Sequence, residues 1–342
     1  SLTNTLGNTG KSLPRDQAVQ RYVAQRYKEV TQPPEKRDHK RSTRSSVDDE
    51  AKHVSFFDFK GLMAPVFTDF KNNEEQTLEI DNIDRYAEWL STNRISGILV
   101  NAFTGEGPAL GLSERIRNAE AWWEASQKYN LIMFLQIGGA PLPDVLVMAE
   151  HAQKLGVHAV LCLPELFYKP TTVEQLVKYM HMVAKRCIAL PFFYYHLPLN
   201  TGVLLNMAEL CRKAEELIPN FYGIHFESTD LDDGEACLRD GRVIIFGNSR
   251  LLACGLMVGF ESALMSFLNI RPDLGWQIWN AMLNNDLDTA RDSQLLVNSL
   301  MSSYIDRSAD EGFVGAMKRW FNDEVSRGNG AGFRIGAARK FF

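Results

Sequence analysis

The chain has 342 residues, 45% of them hydrophobic and 23% charged, with a formal net charge of −5, the balance of a globular protein. A net acidic surface argues against a nucleic-acid binder, and no apolar run reaches the roughly 18 residues that a membrane-spanning helix needs. Five scattered cysteines without a Cys-x-x-Cys pair fit buried packing in a reducing compartment and exclude a disulfide framework or a zinc site.

Residues 1–55 stand apart as an N-terminal extension. After Pro14, the apolar residues Ala18, Val19, Tyr22, Val23, Tyr27 and Val30 recur at helical spacing, which predicts an amphipathic helix over about 15–30. That helix either lies on the protein's own body or docks a partner. The stretch that follows, from about 31 to 50, opens TQPPEKRDHKRSTRSS; it is basic, polar and broken by proline, a linker composition with no means of building a core. Its HKRSTR run reads as solvated linker, or as a contact for an acidic partner surface. No secretory signal stands at the start, and Asp16, Glu29, Glu35 and Asp38 are unlike a mitochondrial transit peptide. The expectation is an intracellular protein, cytoplasmic, with mitochondrial as the alternative.

From 56 to about 270, short apolar runs alternate with amphipathic helices. The runs are Gly61–Phe67, Gly97–Ala102, Ile132–Ile137, His158–Leu163, Pro191–Tyr195, Tyr222–Phe226, Val243–Gly247 and Ser262–Phe267. They are nearly continuous in hydrophobicity, as parallel strands buried on both faces are. A helix is expected over Asp144–Leu155 with Gly156 as its stop, and Thr171 with Glu174 has the spacing of a capping box. Trp122 and Trp123 read as a helix face packed on the barrel or on a neighbouring subunit. Eight strand–helix alternations predict an α/β fold, a (β/α)8 TIM barrel. Residues 271–342 read as a C-terminal helical region packed on it.

The active site of such a barrel lies at the C-terminal ends of its strands. Four segments there draw attention: Asn101–Gly107, Phe193–Pro198, Gly223–Asp230 and Phe246–Arg250. Within them, His225 sits among apolar residues on the sixth strand. The simplest reading is a neutral core histidine hydrogen-bonded to neighbours such as Tyr195 or Thr104. The functional reading is a general base beside Tyr195. A metal held by His196, His225 and Glu227 is a weaker alternative, because strand alternation turns His196 away from Tyr195; no metal and no cofactor is expected.

The VNAFTGEG and LSER motifs, the ALPFFYYHLPLNTGV run and the G-x-x-F-x-x-T-D-L frame around His225 together resemble the N-acetylneuraminate lyase branch of the dihydrodipicolinate synthase superfamily, over about four-fifths of the chain. The resemblance implies a class I aldolase, in which a lysine on the sixth strand forms a Schiff base with pyruvate or the sialic acid, a tyrosine at the end of the fifth relays protons, and small hydroxyl positions before a Gly-Glu hold the carboxylate. Tyr195 matches the tyrosine; Thr104, Gly105 and Glu106 match the Thr-Gly-Glu. The lysine position holds His225, and an imidazole is not a primary amine. Phe103 replaces a hydroxyl position, Ser249 and Arg250 stand where sialic-acid lyases carry an Asp-Glu pair, and the family's glycine-rich run becomes Gly259 to Met265 and Ser266, with added bulk. Gly247 and Ser266 complete the vestigial substrate positions.

Two classes of function follow. In the first, the protein is a catalytically inactive lyase homologue, a structural or adaptor subunit attached to a larger assembly through its N-terminal extension. In the second, it is an enzyme or binder for sialic acid, pyruvate or a related 2-keto acid, using His225 and Tyr195 without a Schiff base. Side chains of Phe103 and Met265 filling the barrel mouth favour the first; a surviving cavity there favours the second. The resemblance also implies a homo-oligomer.

Overall fold

The computed structural model describes residues 57–328 and 331–340; the expected helix over 15–30 and the linker to 50 lie outside them. Eight parallel strands close into a barrel: β1 Gly61–Pro65, β2 Gly97–Val100, β3 Ile132–Gln136, β4 Ala159–Cys162, β5 Phe192–His196, β6 Phe221–Phe226, β7 Val243–Phe246 and β8 Ser262–Leu264. Each strand pairs with its neighbour in sequence, and β8 closes on β1, with Gly61 beside Ser262. The apolar runs overshoot several strands at their C-terminal ends because Val66, Phe67, Ala102 and Phe267 are buried beyond the last paired residues of their strands.

Helices alternate with the strands: α1 Ile83–Thr92, α2 Leu112–Tyr129, α3 Leu142–Leu155, α4 Val173–Ala184, α5 Met207–Leu217, α6 Leu231–Glu235 and α7 Leu252–Val258. Their ends follow local chemistry. Gly156 takes the left-handed conformation, φ 82°, and stops α3, as glycine does at little steric cost. At α4 the cap sits one residue later than the spacing predicts: Thr172 Oγ1 accepts from Gln175 N at 3.3 Å, and Thr171 instead contacts the Gln175 side chain. Trp122 is wholly buried, its ring 5.2 Å from that of Tyr86, so it belongs to the packing between helices and barrel.

Alternation along the strands divides the core in two. One buried set fills the barrel's inside, with Phe59, Met63, Phe134, Phe193, Ile245 and Leu264 among its members; the larger set lies between strands and helices. Each such side chain contributes about 1.5–3 kcal/mol through burial. At the N-terminal end, the ring of Phe57 packs edge-on to those of Phe134 and Phe193, with centroids 5.4 and 5.9 Å away. The end at which such barrels carry their active sites is the opposite one.

The C-terminal region departs from an all-helical reading. Helices α8 Pro272–Leu283, α9 Leu287–Arg307 and α10 Gly312–Phe321 are followed by one wide turn, Asn322–Gly328. Residues 331–340 then run as an irregular strap. The strap is tied to the body: Gly336 N donates to Asp69 Oδ1 at 2.6 Å, Ile335 N to Asn322 Oδ1 at 2.9 Å, and the Arg339 guanidinium to both oxygens of Glu114 at 2.9 and 2.7 Å. Asp69 lies in a small hairpin, Asp69–Phe70 paired with Leu78–Glu79, whose two-residue strands are too short for periodicity to reveal. Among the described residues, no helix is long and apolar enough to cross a membrane.

Candidate active site at the C-terminal end of the barrel

Strand β5 ends in Tyr194, Tyr195 and His196. Tyr195 joins the inside set, so its neighbours point outward; His196 stacks on Phe226, 5.5 Å between centroids at 21°. The alternation that argued against a metal site at His196 therefore holds in the packing. On β6, His225 is in register with Tyr195, and the two rings meet edge to face, 4.7 Å apart at 85°. The His225 ring also has a hydrogen bond with the His196 backbone, which acts against the fall in its pKa, while Nδ1 has no hydrogen-bond partner.

The environment of His225 sets its charge. The side chain is 1% exposed, and burial, followed by the nearby His196, pushes its pKa down to about 3. A buried imidazole without a carboxylate partner pays desolvation with no Coulombic return, so it is neutral at physiological pH. Burial, then the Glu227 carboxylate, raises the Tyr195 phenol against a backbone hydrogen bond from Phe103. The ring of His225 lies over Gly247, where an added Cβ would come within 2.4 Å of Cε1 and Nε2 and 3.1 Å of Glu227 Cβ. Glycine here is space for the imidazole.

Glu227 completes this group. It lies two residues beyond His225 and so on the same face, with its amide donating to His196 O at 3.1 Å. It is half-buried, and burial pushes its carboxyl up to about 7. Sequence reasoning weighed Glu227 only as a metal ligand beside His196; the same alternation that turns His196 away places Glu227 with His225.

The loop after β2 brings Thr104 to the same end, 2% exposed. Gly105 O accepts from Thr68 Oγ1 at 2.5 Å, and a Cβ on Gly105 would lie 2.8 Å from Val66 O. Phe103 packs on the inside set and stacks on Phe313 of α10, 5.8 Å between centroids at 16°. Glu106, in the left-handed region at φ 55°, turns elsewhere. Its Oε1 is 2.6 Å from Lys318 Nζ, both side chains nearly inaccessible, and its Oε2 accepts from Arg339 N at 2.7 Å.

Other expected positions part from the group. Arg250 is exposed and points to α9, with its guanidinium 3.1 Å from Ser302 Oγ; it does not face the barrel. Ser249 is nearly buried, its carbonyl held by Gln294 Nε2 at 3.0 Å. Met265 is wholly buried in the layer between strands and helices, so its bulk does not fill the mouth as expected; Ser266, next in chain, is partly exposed. No lysine lies on any of the eight strands. Lys60 pairs with Glu261 at 2.9 Å beside the N-terminal ends of β1 and β8, Lys169 is exposed in the loop after β4, and Lys318 is held by Glu106.

A parallel eight-stranded barrel carrying Tyr195, Thr104 and His225 at its C-terminal end has the architecture of the barrel aldolases. The family model for the dihydrodipicolinate synthetase family matches residues 58–320, and the chain belongs to that family. An N-acetylneuraminate lyase of Xenopus tropicalis is 32% identical over 238 residues, 69% of this chain and 77% of that protein; one of Gallus gallus is 30% identical over 251 residues, 72% and 81% respectively. Among solved structures, Proteus mirabilis N-acetylneuraminate lyase superposes with a TM-score of 0.76 at 28% identity, covering 83% of this chain and 92% of that one.

Proposed function

We propose that this barrel has lost the Schiff-base carbon–carbon lyase reaction and serves as a non-catalytic homologue of N-acetylneuraminate lyase. The observation that carries the reading is His225. It occupies the sixth-strand position that the resemblance assigns to the lysine, and an imidazole has no primary amine with which to condense onto a ketone and form the electron-sink iminium. Its neutrality at about pKa 3 also removes the positive charge that would attract a carboxylate substrate. The Phe103–Phe313 stack supports the same conclusion at the carboxylate position. In this reading residues 1–55 attach the barrel to a larger assembly as a structural or adaptor subunit.

One observation favours a second reading. Glu227, at about 7 and beside His225 and Tyr195, has a carboxyl poised for proton transfer near neutral pH, which suits a non-covalent site for a 2-keto acid or sialic acid. Pyruvate release from N-acetylneuraminate and calorimetric titration with both compounds separate the two. The non-catalytic reading expects neither release nor saturable binding. Saturable binding that Glu227→Ala abolishes supports the second reading, and pyruvate release by the purified chain overturns the first.

A further inference from the structure

A second concave site lies outside the barrel, behind the loop that carries Thr104 and Glu106. Helix α10, the turn after it and the strap enclose, with the tip of the small hairpin, a cleft of about 680 Å3. Its lining holds five cations, Lys71, Lys318, Arg319, Arg327 and Arg334, against two carboxylates, Glu311 and Asp323. Three cations are matched: Arg319 pairs with Glu311, Arg327 with Asp323 at 3.1 Å, and Lys318 with Glu106 at 2.6 Å. A fourth, Lys71, is loosely paired, its ammonium 3.7 Å from Glu79 and half-exposed. The Arg334 guanidinium is exposed and has no partner among the described residues.

We propose that this cleft binds a small organic polyanion bearing phosphate or carboxylate groups. Arginine and lysine heads are donors only, and five of them line one concavity against two carboxylates, so the balance of charge there favours an entering anion. The planar fork of Arg334 suits a bidentate carboxylate or phosphate, while Lys71 acts as a point charge. The enclosing geometry concentrates their field. The back of the cleft is rigid: Lys318 is 1% exposed, with its ammonium 4.8 Å over the Phe70 ring, and the strap is pinned to Asp69 and Asn322. Through the Lys318–Glu106 pair the cleft adjoins the Thr104–Glu106 loop. The site is independent of whether the barrel is catalytic.

The test titrates the full-length protein with inorganic phosphate and, separately, with citrate, at constant ionic strength held by chloride, following heat and thermal midpoint. Arg334→Ala and Lys71→Ala remove the unpaired cation and the loosely paired one; both side chains are exposed, so the fold survives. Arg291→Ala, on the surface of α9 away from the cleft, is the charge control. The expected result is saturable binding of at least one anion, weakened roughly tenfold or more by Arg334→Ala, the worth of one charge-assisted hydrogen bond, weakened also by Lys71→Ala, and unchanged by Arg291→Ala. Phosphate alone then points to a phosphorylated ligand and citrate alone to a polycarboxylate. Absence of saturable binding with both anions overturns the proposal, and so does equal weakening by all three variants, which marks general surface charge.

Discussion

The ring of His225 rests on the backbone of Gly247: a Cβ at 247 would stand 2.4 Å from both Cε1 and Nε2. The glycine on β7's end and the histidine on β6 therefore form one packed unit, with Tyr195 closing the other side of the imidazole at 4.7 Å. Gly247→Ala is expected to destabilise the protein by about 1–3 kcal/mol, the usual cost of overpacking a filled core. Chemical denaturation of Gly247→Ala, His225→Ala and the double variant checks this. The double variant should lose less than the sum of the singles, because removing the ring makes room for the methyl group.

The depressed pKa of His225 has a definite sign in stability. Above pH 6.5 the imidazole is neutral in both folded and unfolded chains and contributes nothing. As pH falls, the unfolded chain takes up a proton near 6.5 while the folded one refuses it until about 3, so stability is lost across that window. At about 1.4 kcal/mol per pH unit, the full loss is on the order of 5 kcal/mol. His196, pushed down to about 4 by burial, acts in the same direction. In His225→Gln, the slope of unfolding free energy against pH between 6.5 and 4 should become shallower; an unchanged slope means that the ring is solvated.

Glu227 works in the opposite sense. Its folded pKa, raised to about 7, means that the fold prefers the protonated acid. That preference adds stability below pH 4.5 and is lost as pH rises through 7. The side chain is half-buried, so solvent screens part of the effect. Glu227→Gln should melt higher than the parent at pH 8, and the difference should shrink at pH 4.5. Calorimetric melting at the two pH values gives the comparison.

Lys318 and Glu106 form a nearly inaccessible ion pair, and breaking such a pair from one side strands a charge. Lys318→Met is expected to cost about 3–5 kcal/mol, with much of the loss recovered when Glu106→Gln is added. Denaturation of the two variants measures it. Hydrogen exchange in the single variant should rise in the loop after β2 and in the strap, since Arg339 N bonds the same carboxylate.

The fold was legible because parallel strands buried on both faces leave uninterrupted apolar runs, and eight of them separated by helices admit few other arrangements. The last residues of those runs misled, since burial continues past the ladder at Val66 and Ala102. Within the site, the positions of Tyr195, Thr104 and His225 came from resemblance, and period-two alternation separated Tyr195 from His196. The same rule applied one step further finds Glu227. What stayed hidden depends on distant chain meeting distant chain: the Lys318–Glu106 pair, the strap's grip on Asp69 and the turn of Arg250 toward α9 leave no local periodicity. Met265 misled because matching a family's glycine-rich run shows added bulk without showing the face on which it sits.

The central claim is that His225 ended the covalent chemistry, and mass spectrometry after borohydride reduction in the presence of pyruvate tests it most directly. The parent chain should show no pyruvate adduct. His225→Lys, which restores a primary amine beside Tyr195, should gain one adduct mapped to residue 225. A reduced adduct on any lysine of the parent chain contradicts the account, because it would mean that the iminium forms without the sixth-strand lysine.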